Sequence, residues 1–366
     1  MYYSMLRRRN LGFSLVEIMI GIAIGMLGVL IIMQVSVVFE GQKRTTTTGS
    51  DAQTNSISAL YAVERDIRRA GYGFSVQGAL GCTVRRYFDD AEIANLSLAP
   101  VVITSGANGA PDSIRVLASS KSNWSLPNRV TVEHPITATS FFLNTTLGME
   151  VGDLLVAYEP LKTCTLIQVT EVPNGNVQIA HQSSSPWNAV GGAVYPAGGY
   201  NVGALVLNLG TLIDHTYSLQ NGNLMLSEFN SASNTNSARS ITADIVTMKA
   251  QYGFDKRAGI QTSPIVSNDG WSATMIDADD NGIVGDAGDI ARMVAVRMVV
   301  VARSSLMEKK NAGGACDITV NSPTWVGGDI DVSKNPDGSA NADWQCYRYK
   351  TFENVIPLRN LLWGRT

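Results

Sequence analysis

The densest run of chemistry-capable side chains is DADDNGIVGDAGD, Asp277 to Asp289. Its start has the ligand spacing of an EF-hand calcium loop: Asp277 and Asp279 at the first and third positions, Asn281 at the fifth, Gly282 at the sixth and apolar Ile283 near the seventh. Oxygen donors crowded into one turn suit a hard cation, and glycine permits the sharp bend. The loop then departs from that spacing. Gly288 stands at the twelfth position in place of a bidentate glutamate, so Asp286 or Asp289 must replace it, and no helix pattern leads in. A calcium site and a solvated acidic turn both remain open.

Little else is spaced for chemistry. His134, His181 and His215 are far apart in the chain, on or beside predicted strands, and no two have a metal-ligand spacing. The chain has no GxSxG elbow, phosphate loop or zinc pair, and the glycine-rich run near Gly191 lacks the lysine and helix start of a phosphate cradle. These residues give no reason to expect an enzyme. Cys82, Cys164, Cys316 and Cys346 are even in number, with no CxxC pair, which fits disulfides in an oxidising compartment. Three connectivities are open, and proximity along the chain favours Cys316 with Cys346 and Cys82 with Cys164. Trp325, Trp344, Tyr347 and Tyr349 lie in and after the Cys316–Cys346 loop, either packing it or offering a contact surface. A net charge of −3 argues against dedicated nucleic-acid binding.

One further carboxylate is out of place. From Phe13 to Phe39 the only strongly polar residues are Glu17 and Gln34. As a helix this run would span roughly 40 Å, enough for a bilayer core of about 30 Å. Arg7 to Arg9 precede it, and by the positive-inside rule they stay cytoplasmic while everything after Phe39 lies outside. The run is too long for a secretory signal peptide, and no small-residue cleavage site follows it. An intramembrane carboxylate costs about 2.5–3.5 kcal/mol on insertion scales and usually marks a partner.

The stretch GFSLVE, Gly12 to Glu17, resembles the processing site of type IV prepilins and type II secretion pseudopilins. The resemblance implies cleavage by a prepilin peptidase between Gly12 and Phe13, methylation of the new amine, and Glu17 as the fifth residue of the mature chain. It also implies that Glu17 pairs with a neighbouring subunit's amine during filament assembly, the buried charge being tolerable only when paired. At the other end, a β-branched run followed by VIPLRN resembles the PilW family of minor pilins, with a weaker likeness to J-type minor pseudopilins.

The elements that must position these residues follow from periodicity. Residues 13–70 read as one long helix, with 13–39 in the membrane or filament core and a softened or kinked stretch between Gly41 and Gly49. Past that stretch, Ile57, Leu60, Tyr61 and Ile67 are predicted to share the face turned to the body, and Gly71 and Gly73 to stop the helix. Short strands follow, among them Ser113–Ala118, a run from Arg129, Asp153–Tyr158, and runs from Thr165 and Asn176. Asn174-Gly175 and Asn221-Gly222 mark hairpin turns. Val294 to Ala302 is apolar enough for a central strand.

By resemblance the fold class is α+β and pilin-like: a long N-terminal transmembrane helix packed on an antiparallel sheet, with an inserted β-rich lobe. The leader is 1–12, the head 71–366, the lobe about 81–230 and the C-terminal sheet about 240–366. The implied function is a minor pilin that primes type IV pilus assembly and sits at or near the tip, moving from the inner membrane to the cell surface. Its implied partners are other minor pilins, the major pilin, the prepilin peptidase, the inner-membrane assembly platform and a tip adhesin. A type II secretion pseudopilin and a pilus-associated adhesin or DNA-uptake subunit are the alternatives.

Overall fold

The computed structural model describes residues 12–363 apart from 77, 123–125, 174–176, 193, 260, 262, 312 and 336–337. The basic leader Arg7–Arg9 and the Asn174-Gly175 turn lie outside the described residues. The chain forms two compact units, Met1–Asp51 and Ala52–Thr366.

Helix α1, Leu15–Ile67, is 53 residues long and runs through both units. The helix is continuous across Gly41–Gly49, against the expected softening. Two glycines and four threonines each weaken a helix by about 1 kcal/mol or less. Helix on both sides has already met the cost of nucleation, so propagation carries through. In the first unit the apolar side chains face outward: Leu15, Ile24, Met26, Ile32 and Phe39 are all exposed. Leu15–Lys43 is apolar and long enough to cross a membrane, and none of its most apolar stretch is covered by the chain's own atoms.

In the second unit the buried stripe of α1 differs from the expected one. Ala52, Ser56, Ala59, Val63 and Ile67 are fully buried, whereas Ile57 is 46% and Tyr61 66% exposed. Leu60 is only half covered, so of the predicted stripe Ile67 alone is fully buried. The reason is steric. Small side chains let the helix seat close to the sheets, and the bulky residues rotate outward. The helix ends at Ile67, and turns follow through Gly71 and Gly73, both at positive φ.

Three antiparallel-rich sheets build the second unit. The six-stranded sheet has the order β2 (Ala91–Ser97), β1 (Thr83–Phe88), β8 (Cys164–Gln168), β7 (Leu154–Tyr158), β10 (Leu205–Gly210) and β5 (Asn128–Arg129). Among the described residues of this sheet only β1 and β8 run parallel. The five-stranded sheet is β13 (Thr235–Thr242), β12 (Asn223–Asn230), β11 (Ile213–Gln220), β4 (Ser113–Ala118) and β3 (Val101–Thr104). The four-stranded sheet is β15 (Trp271–Ser272), β14 (Ile245–Phe254), β16 (Met293–Arg303) and β19 (Tyr349–Pro357). Two small ribbons pair β6 (Ser140–Phe142) with β9 (Gln178–Ala180), and β17 (Thr324–Trp325) with β18 (Gly328–Asp329). The strand expected from Arg129 is short, and the one expected from Asn176 pairs with β6 in place of a long hairpin with β8.

Strands buried on both faces explain the unbroken apolar runs. On β7, Leu154 and Val156 face the main core shared with α1, while Leu155 and Ala157 face a second cluster with Val130, Phe141 and Tyr200. On β16, Val296, Met298 and Val300 face the main core, and Val299 and Val301 are covered by Ile330 and Val332. The six-stranded sheet spans Thr83 to Gly210, yet one of its faces belongs to the core of the whole unit. At the β11–β12 turn, Asn221 (φ 50°) and Gly222 (φ 75°) are both left-handed, as a type I′ turn requires.

The observed stripe sets a test of α1 packing. Ala59→Leu should destabilise the protein by about 1–3 kcal/mol through overpacking. Tyr61→Ala should stay within about 0.5 kcal/mol. Urea melts of both variants in detergent check the pair, and the reverse order would restore the predicted face.

Candidate functional site

At the N-terminus, Gly12 to Ser14 precede the helix without secondary structure, and Phe13 is 81% exposed. The Glu17 amide donates to Ser14 Oγ at 3.2 Å, and the Ser14 amide donates to Glu17 Oε2 at 3.4 Å. This reciprocal pair is a capping box, which satisfies two helix-start donors and sets a carboxylate at the positive end of the helix. Its Ser-x-x-Glu spacing was legible in the sequence, hidden behind the question of the buried charge. Glu17 thus has a local task inside its own chain. A carboxylate has about four acceptor sites, so capacity remains for a cation from another subunit.

The cysteines form two disulfides, Cys82–Cys164 and Cys316–Cys346. The first ties the entry of β1 to β8 across the sheet's parallel junction. The second closes a C-terminal loop lying over β16. Trp325, Trp344 and Tyr349 pack into the cluster under that loop, so they serve as packing.

Three of the six residues expected around a cation converge. Ligand atoms of Asp277, Asp279 and Asp289 lie within 4.8 Å of one another. Ile283 is 62% exposed, turned to solvent. Asp286 instead caps α2 (Ala287–Ala291), accepting from the Gly288 and Asp289 amides, and also accepts from the Asn281 side chain. Asn281 donates to Asp279 as well. At position 288 a Cβ would stand 1.9 Å from Asp279 Oδ2, so the glutamate of an ordinary EF-hand has no room there. The neighbouring Asp289 supplies the third carboxylate. It is fully buried, accepting from the Ala278 and Gly285 amides. Burial, and then the nearby Asp286 charge, hold the Asp279 carboxyl above its usual range.

The histidines behave differently from their sequence spacing. His134 and His181 meet Nε2 to Nε2 at 2.9 Å, with the His134 ring stacked 3.8 Å from Phe141 and Tyr195 Oη 2.9 Å from His181 Nδ1. Both rings are buried in the second cluster. Burial pushes His134 down to about 4; burial and then the His134 charge push His181 down to about 3. His215 lies elsewhere, 2.6 Å from Asp66 of α1. Tyr217 also donates to Asp66, at 2.7 Å. Burial raises the Asp66 carboxyl, but the His215 and Tyr217 hydrogen bonds outweigh it, and the net shift is downward. Sequence spacing gave no signal for these contacts, because Asp66 and His215 are 149 residues apart.

The histidine pair predicts acid lability with a definite sign. Both folded values lie below the unfolded value of about 6.5, so their stabilising effect is complete above it and is lost as pH falls. At pH 5, still above the unfolded carboxylate range, the loss should be about 2 kcal/mol per imidazole. Urea melts at pH 7.5 and pH 5 measure it, and His181→Gln should flatten the slope.

Residues 7–33 match the family described as Prokaryotic N-terminal methylation motif, and residues 213–360 match Type IV Pilus-assembly protein W. Residues 34–212, which hold every strand of the six-stranded sheet, lie outside both matches. No curated protein matches the chain. The domains of these families are structural. The methylation motif on an exposed apolar helix and the Type IV Pilus-assembly protein W match across the C-terminal sheet together support a type IV pilus-related minor pilin.

Proposed function

We propose that this minor pilin co-assembles with other minor pilins to prime type IV pilus assembly and stands at or near the pilus tip. The observation that carries the reading is the methylation motif on Leu15–Lys43, an apolar helix that its own chain leaves uncovered. Lipid covers that surface first, and the helices of neighbouring subunits cover it in the filament. Cleavage between Gly12 and Phe13 removes the arginine-rich leader, which holds the precursor's end in the cytoplasm. It leaves a methylated amine at Phe13 and makes Glu17 the fifth residue of the mature chain. Glu17 then receives the amine of an adjacent subunit, either a minor pilin or the major pilin. The prepilin peptidase, the inner-membrane assembly platform and a tip adhesin complete the partners, with the head in the periplasm before assembly and on the cell surface after it.

The acidic loop is proposed as a calcium site through Asp277, Asp279 and Asp289, with oxygen ligands suited to a hard cation. Calcium at millimolar concentration should raise the melting temperature of the protein, and Asp277→Asn should abolish that rise. An unchanged melt in the parent protein would leave only the acidic turn.

Deleting the gene in a background unable to retract pili should reduce surface pili several-fold, and a complementing copy should restore them. Normal piliation would overturn the priming role. In the same cells, Gly12→Asp should accumulate the uncleaved precursor. Glu17→Ala should process normally but fail to enter sheared pili, and its normal incorporation would sink the pairing role.

A further inference from the structure

A cleft of about 500 Å³ opens between the tip of the β11–β12 hairpin, the start of β14, the end of β16 and the residues Lys334, Asn335 and Asn341. That volume lies within the range of small-ligand sites. Its cationic wall is Arg303 and Lys334. The Arg303 guanidinium lies 4.4 Å over the Tyr347 ring, which fixes its plane, and no carboxylate pairs with it among the described residues. Lys334 is already engaged by Asp331 at 3.5 Å, an exposed pair of little worth. Among the described residues the unpaired charge in the cleft is therefore that of Arg303.

The rest of the lining is amide and aliphatic. Gln220 and Asn221 line the cleft, and their side-chain amides make no hydrogen bond within the described residues. Each offers both donors and an acceptor, which is what a hydroxyl group needs from a partner. Leu219, Ile245 and Val246 supply an apolar floor. A planar fork for a carboxylate, amides for hydroxyls and an apolar surface for C–H faces together describe one ligand chemistry. We propose that this cleft binds a carboxylate-bearing saccharide unit, with Arg303 on the carboxylate and Gln220 and Asn221 on the hydroxyls. The site is additional to the assembly role and does not rest on it.

The experiment is calorimetric titration of the full mature chain in detergent with a dihexuronate, its dimethyl ester, and a short peptide with a free C-terminal carboxylate. The dihexuronate should bind saturably and the ester about tenfold more weakly, as should the dihexuronate to Arg303→Gln, the loss of one charge-assisted contact. Asn335→Asp, at a lining residue with no assigned ligand contact, adds a negative charge to the cleft. It should weaken the dihexuronate while sparing the ester, which separates electrostatics from misfolding. Equal binding of acid and ester, or an unchanged Arg303→Gln, overturns the proposal. Tighter binding of the peptide also overturns it, and makes the cleft a chain-terminus site.

Discussion

An apolar helix with nothing of its own chain to cover it is the constraint on which this protein is built. Burying apolar surface is worth roughly 25 cal/mol per Å², and Leu15–Lys43 gains none of that from its own fold. The segment is long and apolar enough for a bilayer to cover that surface. The lone carboxylate near its start is a liability in hydrocarbon unless a cation meets it. The capping box with Ser14 shows how the chain holds that carboxylate at the helix start meanwhile.

The second unit has a different problem, which is to grip a helix from the side. A stripe of Ala52, Ser56, Ala59 and Val63 allows close approach, and polar ties then fix the rotation. Asp66 is held by His215 and Tyr217, Glu64 accepts from Asn354, and Asn360 donates to the Arg69 and Ala70 carbonyls. All four of these partners lie within the residues matched to PilW. The family-matched region is thus the part that holds the upper end of the helix. The six-stranded sheet, outside both matches, adds one face of the second core, and the buried histidine pair packs into that core against Phe141.

The acidic loop and the helix show two ways in which one change of residue type redirects a local design. Gly288 removes the side chain that an EF-hand would use, and Asp289 takes over from the next position, anchored by two amides. On α1, two bulky residues that look like a core stripe by spacing yield to alanines, because the sheet surface leaves no depth for them.

What the sequence determined by itself were the properties carried by short spans of chain. The apolar run, the methylation-motif stretch Gly12–Glu17, the Asn221-Gly222 turn and the two-sided apolar strand Val294–Ala302 depend on local sterics and hydropathy, which are legible in consecutive residues. The capping box was legible on the same grounds, in the spacing of Ser14 and Glu17. Tertiary structure decided which face of α1 is buried, that His134 meets His181, that Asp66 meets His215, and which aspartates of the loop converge. Those outcomes depend on contacts between residues tens to hundreds of positions apart. No period in the sequence encodes them, because side-chain volume and the burial of charge are settled only when the elements pack.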